Sequence, residues 1–203
     1  MVRAMIRFAA AGLCLLAFGP ASAERRPASL DDVLAMRSLG TVSLSPDGRF
    51  AAFERQGPYD AVPRFDRDWR SAWGASEILV ADLDGAEPPE PLLDKPQGQG
   101  LLLGPWSPDG ARLLVYRLGE ETFEAGIADV RRRSVRWLGL AADLPLNGAG
   151  AAWLDGDRVA LVVRPDGSLP WQLRFQTTGR TVMDDRWRRT EAGREPSRTV
   201  LDT

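Results

Sequence analysis

The tetrapeptide Ser-Pro-Asp-Gly occurs twice, as Ser45-Pro46-Asp47-Gly48 and Ser107-Pro108-Asp109-Gly110, each time just before an apolar run. Proline pre-sets φ, aspartate bonds back to the turn backbone, and glycine accepts a left-handed conformation without a Cβ clash. Three more Asp-Gly pairs follow the same logic: Asp84-Gly85, Asp155-Gly156 and Asp166-Gly167. The runs around them cover residues 50–53, 78–83, 101–106, 113–118, 159–163 and 171–175. Short apolar runs punctuated by such pairs predict antiparallel hairpins. In the last run Trp171, Leu173 and Phe175 alternate with Gln172 and Arg174, which reads as a strand.

The hairpins repeat as larger units. Residues 42–53 align with 104–115 and, more weakly, with 151–162, which places Trp106 and Trp153 at equivalent positions. The turn glycines Gly48, Gly110 and Gly156 stand 62 and 46 residues apart. Periods near ~40–50 residues, each with about four strands, mark propeller blades. Third and fourth strands are expected at 78–83 and 91–93, at 125–130 and 134–138, and at 169–175 and 199–201. The predicted fold is all-β: an open propeller of about three blades, over roughly 41–95, 100–140 and 149–203, behind a leader and short helix at 24–40. Ser29 is placed to cap that helix, Asp31 and Asp32 suit its positive end, Val33, Leu34 and Met36 give it an apolar side, and Gly40 is expected to end it. Two polar inserts interrupt the pattern, at 57–75 with Trp69 and Trp73, and at 181–192, where a short helix fits. A ring closes only with ~4–8 blades, so three would leave apolar faces and sheet edges open, with marginal stability or aggregation expected.

Residues 1–23 read as a secretory signal peptide. Arg3 and Arg7 precede an apolar stretch at 8–18, then Gly19-Pro20 and Ala21-Ser22-Ala23, with cleavage expected before Glu24. The stretch is too short for a spanning helix, which needs ~20 apolar residues. Leu13 before Cys14 is not the small residue that lipidation signals want. Export, most simply to the periplasm, is expected, with no stable membrane anchor after cleavage.

The chain contains no histidine and a single cysteine. That removes Ser-His-Asp and Cys-His catalysis, histidine-based zinc sites and a disulfide framework from these 203 residues. A net charge of −2 argues against nucleic acid as partner. No cofactor or metal is expected: Asp82-Leu83-Asp84-Gly85 fails the EF-hand spacing, because Val80 and Pro91 would fall at its first and last ligand positions. Arg131-Arg132-Arg133 and Glu120-Glu121 read as solvated turns, and Asp184-Asp185 as helix-surface charges that point apart. Trp106 and Trp153 read as core. Trp69, Trp73 and Trp187, in the polar inserts, are the candidate contact residues for a partner.

Residues 45–53 and 106–110 resemble the blade motif of TolB-like propellers, shared with the N-terminal propeller of the prolyl oligopeptidase superfamily of serine peptidases. The helix before the first motif, behind a signal peptide, is similar to exported dipeptidyl-peptidase-type members. Residues 164–170 and 193–197 are similar to the bacterial branch that opens lasso peptides at their isopeptide bond. The resemblance implies a propeller that admits peptides to a C-terminal α/β-hydrolase domain, so that the partners are that domain or a peptide substrate. The departure is plain: no serine lies in a Gly-x-Ser-x-Gly elbow, and no histidine exists to activate one. The expectation is a truncated, non-catalytic front part of such a peptidase; the alternative is a stand-alone periplasmic binding or scaffold propeller.

Overall fold

The computed structural model describes residues 26–95, 97–145 and 149–194. The expected signal peptide and the expected strand at 199–201 lie outside the described residues. The architecture is the predicted partial, propeller-like all-β fold. Strands β1 (Ser38–Leu44), β2 (Phe50–Gln56), β3 (Glu77–Asp82) and β4 (Glu90–Pro91) form one antiparallel sheet in chain order. Strands β5 (Gly100–Trp106), β6 (Arg112–Leu118), β7 (Phe123–Asp129) and β8 (Ser134–Ala141) form a second with the same order. A third unit contributes the hairpin β9 (Ala151–Trp153) and β10 (Val159–Leu161), which an Ala142–Val163 bridge ties to the end of β8.

The repeated turns are built alike. Ser45 Oγ donates to Asp47 Oδ1 at 2.5 Å and accepts from Phe50 N at 2.8 Å. Ser107 Oγ donates to Asp109 Oδ1 at 2.6 Å and accepts from Arg112 N at 2.9 Å. Each aspartate also accepts the amide two residues on, from Arg49 or Ala111, at 3.1 Å. Gly48 and Gly110 take φ of 73° and 67°, as the turn demands. The turns also meet one another. A Cβ on Gly110 would lie 3.1 Å from Asp47 Oδ1, and one on Gly156 would lie 3.2 Å from Asp109 Oδ2. Each carboxylate therefore leans on the glycine of the next repeat, so the turns form a stack along one end of the sheets.

Two cores follow from the strand alternation. Phe50, Ala52, Ile78, Val80 and Leu92 of the first sheet pack on Leu101, Trp106, Leu113 and Val115 of the second. The opposite face of the second sheet, with Leu114, Tyr116, Leu118 and Phe123, packs on the third unit and on Leu169 and Leu173. Trp106 belongs to the first core; Trp153 is half-buried beside the second, its indole N–H donating to Pro105 O at 2.9 Å.

Several expectations need correction. Residues 171–175 are not a strand: they open helix α2 (Trp171–Glu191), which also absorbs the second insert. An alternation of only five residues also fits the helical i, i+4 pair. The Trp171 and Phe175 rings meet at 4.8 Å, tilted 37° to each other, and stay about half exposed, while Leu173, pointing the other way, is fully buried. Asp166-Gly167 accordingly joins no hairpin and leads toward α2. Asp84-Gly85 and Asp155-Gly156 do sit in hairpins, but neither glycine has a positive φ. The first helix, α1 (Leu30–Leu34), has the expected Ser29 cap: Asp32 N donates to Ser29 Oγ at 3.2 Å, and Ser29 N to Asp32 Oδ2 at 2.7 Å. Arg26 also pairs with Asp32 and holds its carboxyl far below the usual carboxylate range. The helix ends by Ala35, not at Gly40, and its apolar side chains are exposed. Gly40 lies inside β1 beside a register shift, where a Cβ would sit 2.6 Å from Glu54 Oε2. The strand expected at 91–93 is the two-residue β4, although Leu92 still donates its amide to Ile78 O at 2.8 Å.

Candidate functional site

At the end of the sheets opposite the stacked turns, the two sheets part around a cleft of about 460 Å³. Its walls come from the start of β1, the end of β2, and β5–β7, with Leu144 and the insert Trp69 and Trp73 completing the lining. The insert folds as two 3-10 helices, Tyr59–Ala61 and Asp68–Ala75. Asp68 there takes φ 55°, a left-handed conformation that aspartate tolerates better than most side chains.

Two arginines tie the insert to the second sheet. Arg67 is buried, and its guanidinium donates to Gly119 O at 3.2 Å and to Glu120 O. Burial pulls its pKa down from the ordinary arginine value. Arg64 pairs with Asp66 at 2.6 Å and with Glu121 at 2.7 Å, which raises its own pKa. The Glu120-Glu121 turn is thus solvated, as read from the sequence, but it also anchors the insert. The far end of the insert is held by backbone contact: Leu101 N donates to Ser76 O at 2.9 Å, and a Cβ on Gly100 would fall 1.6 Å from Trp73 O.

The central polar group of the cleft is Glu54, at 5% exposure. Its Oε1 accepts from Leu103 N at 2.8 Å, and its Oε2 from Thr41 N at 3.3 Å. It therefore bridges β1 and β5, the edge strands of the two sheets. Burial pushes its pKa up, against the opposing pull of the two backbone donors and the Thr41 side chain. Nearby, Tyr116 stacks on Phe123 at 5.1 Å, and burial pushes its phenol up to about 12. Trp69 and Trp73 meet edge to face at 5.3 Å, and the Arg70 guanidinium lies 4.3 Å from the Trp69 ring centre.

Of the three candidate contact residues, the structure brings Trp69 and Trp73 together at this cleft. Trp187 stands on α2, 64% exposed and not part of the lining. The turn residues Ser45, Asp47, Ser107, Asp109 and Asp155 cap hairpins at the opposite end and present no joint site. Arg132 pairs with Asp129 and Arg133 with Glu90, so two of the three arginines in the Arg131-Arg132-Arg133 turn are already partnered. Asp185 pairs with Arg188 and Arg189 on its own helix. Sequence reasoning missed Glu54. Extending the repeat alignment by one residue sets Glu54 against Tyr116, a charge where the other repeat has an aromatic ring.

No family model matches the chain, and no curated protein matches it. Among solved structures, it is similar to AtxE2 isopeptidase without ligand, at TM-score 0.46 and 19% identity over 80% of this chain and 26% of that one. A variant of the same isopeptidase with Astexin3-dC4 bound aligns at TM-score 0.45 and 18% identity, over 66% and 23%. A prolyl endopeptidase aligns at TM-score 0.30 and 20% identity, over 59% and 24%. The chain thus spans about a quarter of the length of each of these enzymes.

Proposed function

We propose that these residues form a non-catalytic propeller segment whose role is to admit and position peptides for an exported serine peptidase unit. One observation carries the reading. Two blade-like sheets, built on the same turn, stack so that an aromatic cleft with one buried carboxylate opens between their edge strands, at the end away from the turns. The composition supports it, since a sequence without histidine has no imidazole base to activate a serine. Export rests on the layout of residues 1–23, and N-terminal sequencing of secreted protein is expected to begin at Glu24.

The test is an assay of the purified chain on short peptide p-nitrophenyl esters. No turnover sensitive to a serine-directed fluorophosphonate is expected; its detection overturns the reading. The second reading, a binding or scaffold propeller, draws on the apolar face that the first sheet leaves open, with Val42 and Leu44 about 60% exposed. The coding sequence downstream of Thr203 separates the two. A Gly-x-Ser-x-Gly followed by Asp and His supports the peptidase unit, whereas further Ser-Pro-Asp-Gly repeats support the scaffold.

A further inference from the structure

The cleft has a chemistry more specific than a gap between sheets. Glu54 is buried, and among the described residues no lysine or arginine pairs with it. A carboxylate presents about four acceptor positions; the amides of Leu103 and Thr41 take two, and the Thr41 side chain supplies the other donor. All of these donors are neutral, and an ionised carboxylate in such surroundings is costly unless a cation reaches it. The adjoining wall is aromatic. Trp69 is 53% exposed and already carries one guanidinium, that of Arg70, on its ring, which shows that this indole can seat a cation. Tyr116, only 7% exposed, adds its phenol to the same lining.

We infer that this cleft is a binding site for a cationic side chain of an extended peptide, a lysine or arginine, with Glu54 meeting the charge and Trp69 and Tyr116 flanking the stem. The inference deepens the peptide-admitting role proposed above and rests on it for where the ligand comes from. The site's volume suits one long side chain with part of its backbone, not a folded domain. The alkyl stem lies against Trp69, Trp73 and Leu102, and the head displaces water from the carboxylate. Backbone donors on the ligand find the Tyr116 hydroxyl.

The experiment uses the full chain and acetyl-Ala-Lys-Ala-amide, with the norleucine and glutamate counterparts as controls, followed by tryptophan fluorescence and calorimetry. The lysine peptide is expected to bind at least ~10-fold tighter than the norleucine peptide, consistent with a charge-assisted contact at a buried carboxylate. Glu54→Gln should erase that preference. Because the introduced carboxamide would set an N–H against the Thr41 or Leu103 donor, the variant's fold is checked by circular dichroism. Should it unfold, Trp69→Ala decides, since that side chain is half exposed and outside both cores. It should weaken lysine binding about 3-fold, with the fold intact by circular dichroism. Equal binding of lysine and norleucine, tighter binding of glutamate, a preference that survives Glu54→Gln in a folded protein, or lysine binding undiminished by Trp69→Ala overturns the inference. Any of these leaves the ester assay, and with it the non-catalytic reading, untouched.

Discussion

The sheets β1–β4 and β5–β8 share a turn, a strand order and an antiparallel ladder, yet one is covered on both faces and the other on one. Their repeat-equivalent residues make the difference concrete. Leu44 and Trp106 occupy the same position before the Ser-Pro-Asp-Gly turn; Trp106 is 8% exposed and Leu44 61%. Ala51 and Phe53 correspond to Leu113 and Val115, and the latter two are fully buried because the first sheet lies on them. The equivalent face of the first sheet has no preceding sheet among the described residues. Local sequence thus makes a blade, and its neighbour decides which of its faces becomes core.

The largest effect should come where the insert meets the second sheet through backbone. Gly100→Ala drives a methyl into the Trp73 carbonyl, so the insert or β5 must move. A loss of ~3 kcal/mol or more is expected in urea unfolding, at the upper end for overpacking. A cost below ~1 kcal/mol would show that the insert is not seated on β5. Next, Trp106→Ala and Leu44→Ala test the equivalent positions directly. The first should cost ~3–5 kcal/mol and the second under ~0.5 kcal/mol. Similar values would mean that the open face of the first sheet is covered in solution.

The turns should behave in the opposite way, alike in both sheets. Ser45→Ala and Ser107→Ala each remove a buried hydroxyl that accepts the amide five residues on, from Phe50 or Arg112. Each is expected to cost ~1–2 kcal/mol, within error of the other, by the same unfolding measurement. A large inequality would show that the stack of turns, and not the local hairpin, holds the motif.

The smallest effect is a pH dependence with two signs. Glu54 has a pKa raised by burial, so the folded state binds its proton more tightly than the unfolded chain does. Its contribution to stability is present below the ordinary carboxylate value and declines as pH rises through the raised one. Asp109 is lowered, first by the Ser107 hydroxyl and then by the Ala111 amide. Its contribution is present above the ordinary value and is lost as pH falls through the lowered one. Melting followed from about pH 3 to about pH 7 should therefore show a fall toward the acid end that Asp109→Asn reduces. Glu54→Gln, where it folds, should flatten the decline on the other side.

Much of the fold was legible because its signals are local. Asp47-Gly48 and Asp109-Gly110 set hairpins through bonds spanning two to five residues, and Ser29 caps α1 within one helical turn. The error at 171–175 came from a window too short to separate a period of 2 from a period of 3.6, and the charged residues that follow resolved it in favour of the helix. For the candidate site, three tryptophans were named from their places in the polar inserts, and two of them, Trp69 and Trp73, line the cleft. Glu54 and Tyr116 were not named, because nothing in the residues around them says that they share a cleft.

By itself, the sequence determined the turns, the strand order they impose, the unit repeat and the absence of any imidazole. Only the tertiary structure decided that the insert lies over the gap between sheets, that Glu54 bridges β1 and β5, and that residues 171–191 form a helix whose Leu173 is buried in the second core. The reason is range: a turn is settled by atoms a few residues apart, whereas a buried carboxylate in a cleft is settled by groups up to 49 residues away, as Glu54 and Leu103 are.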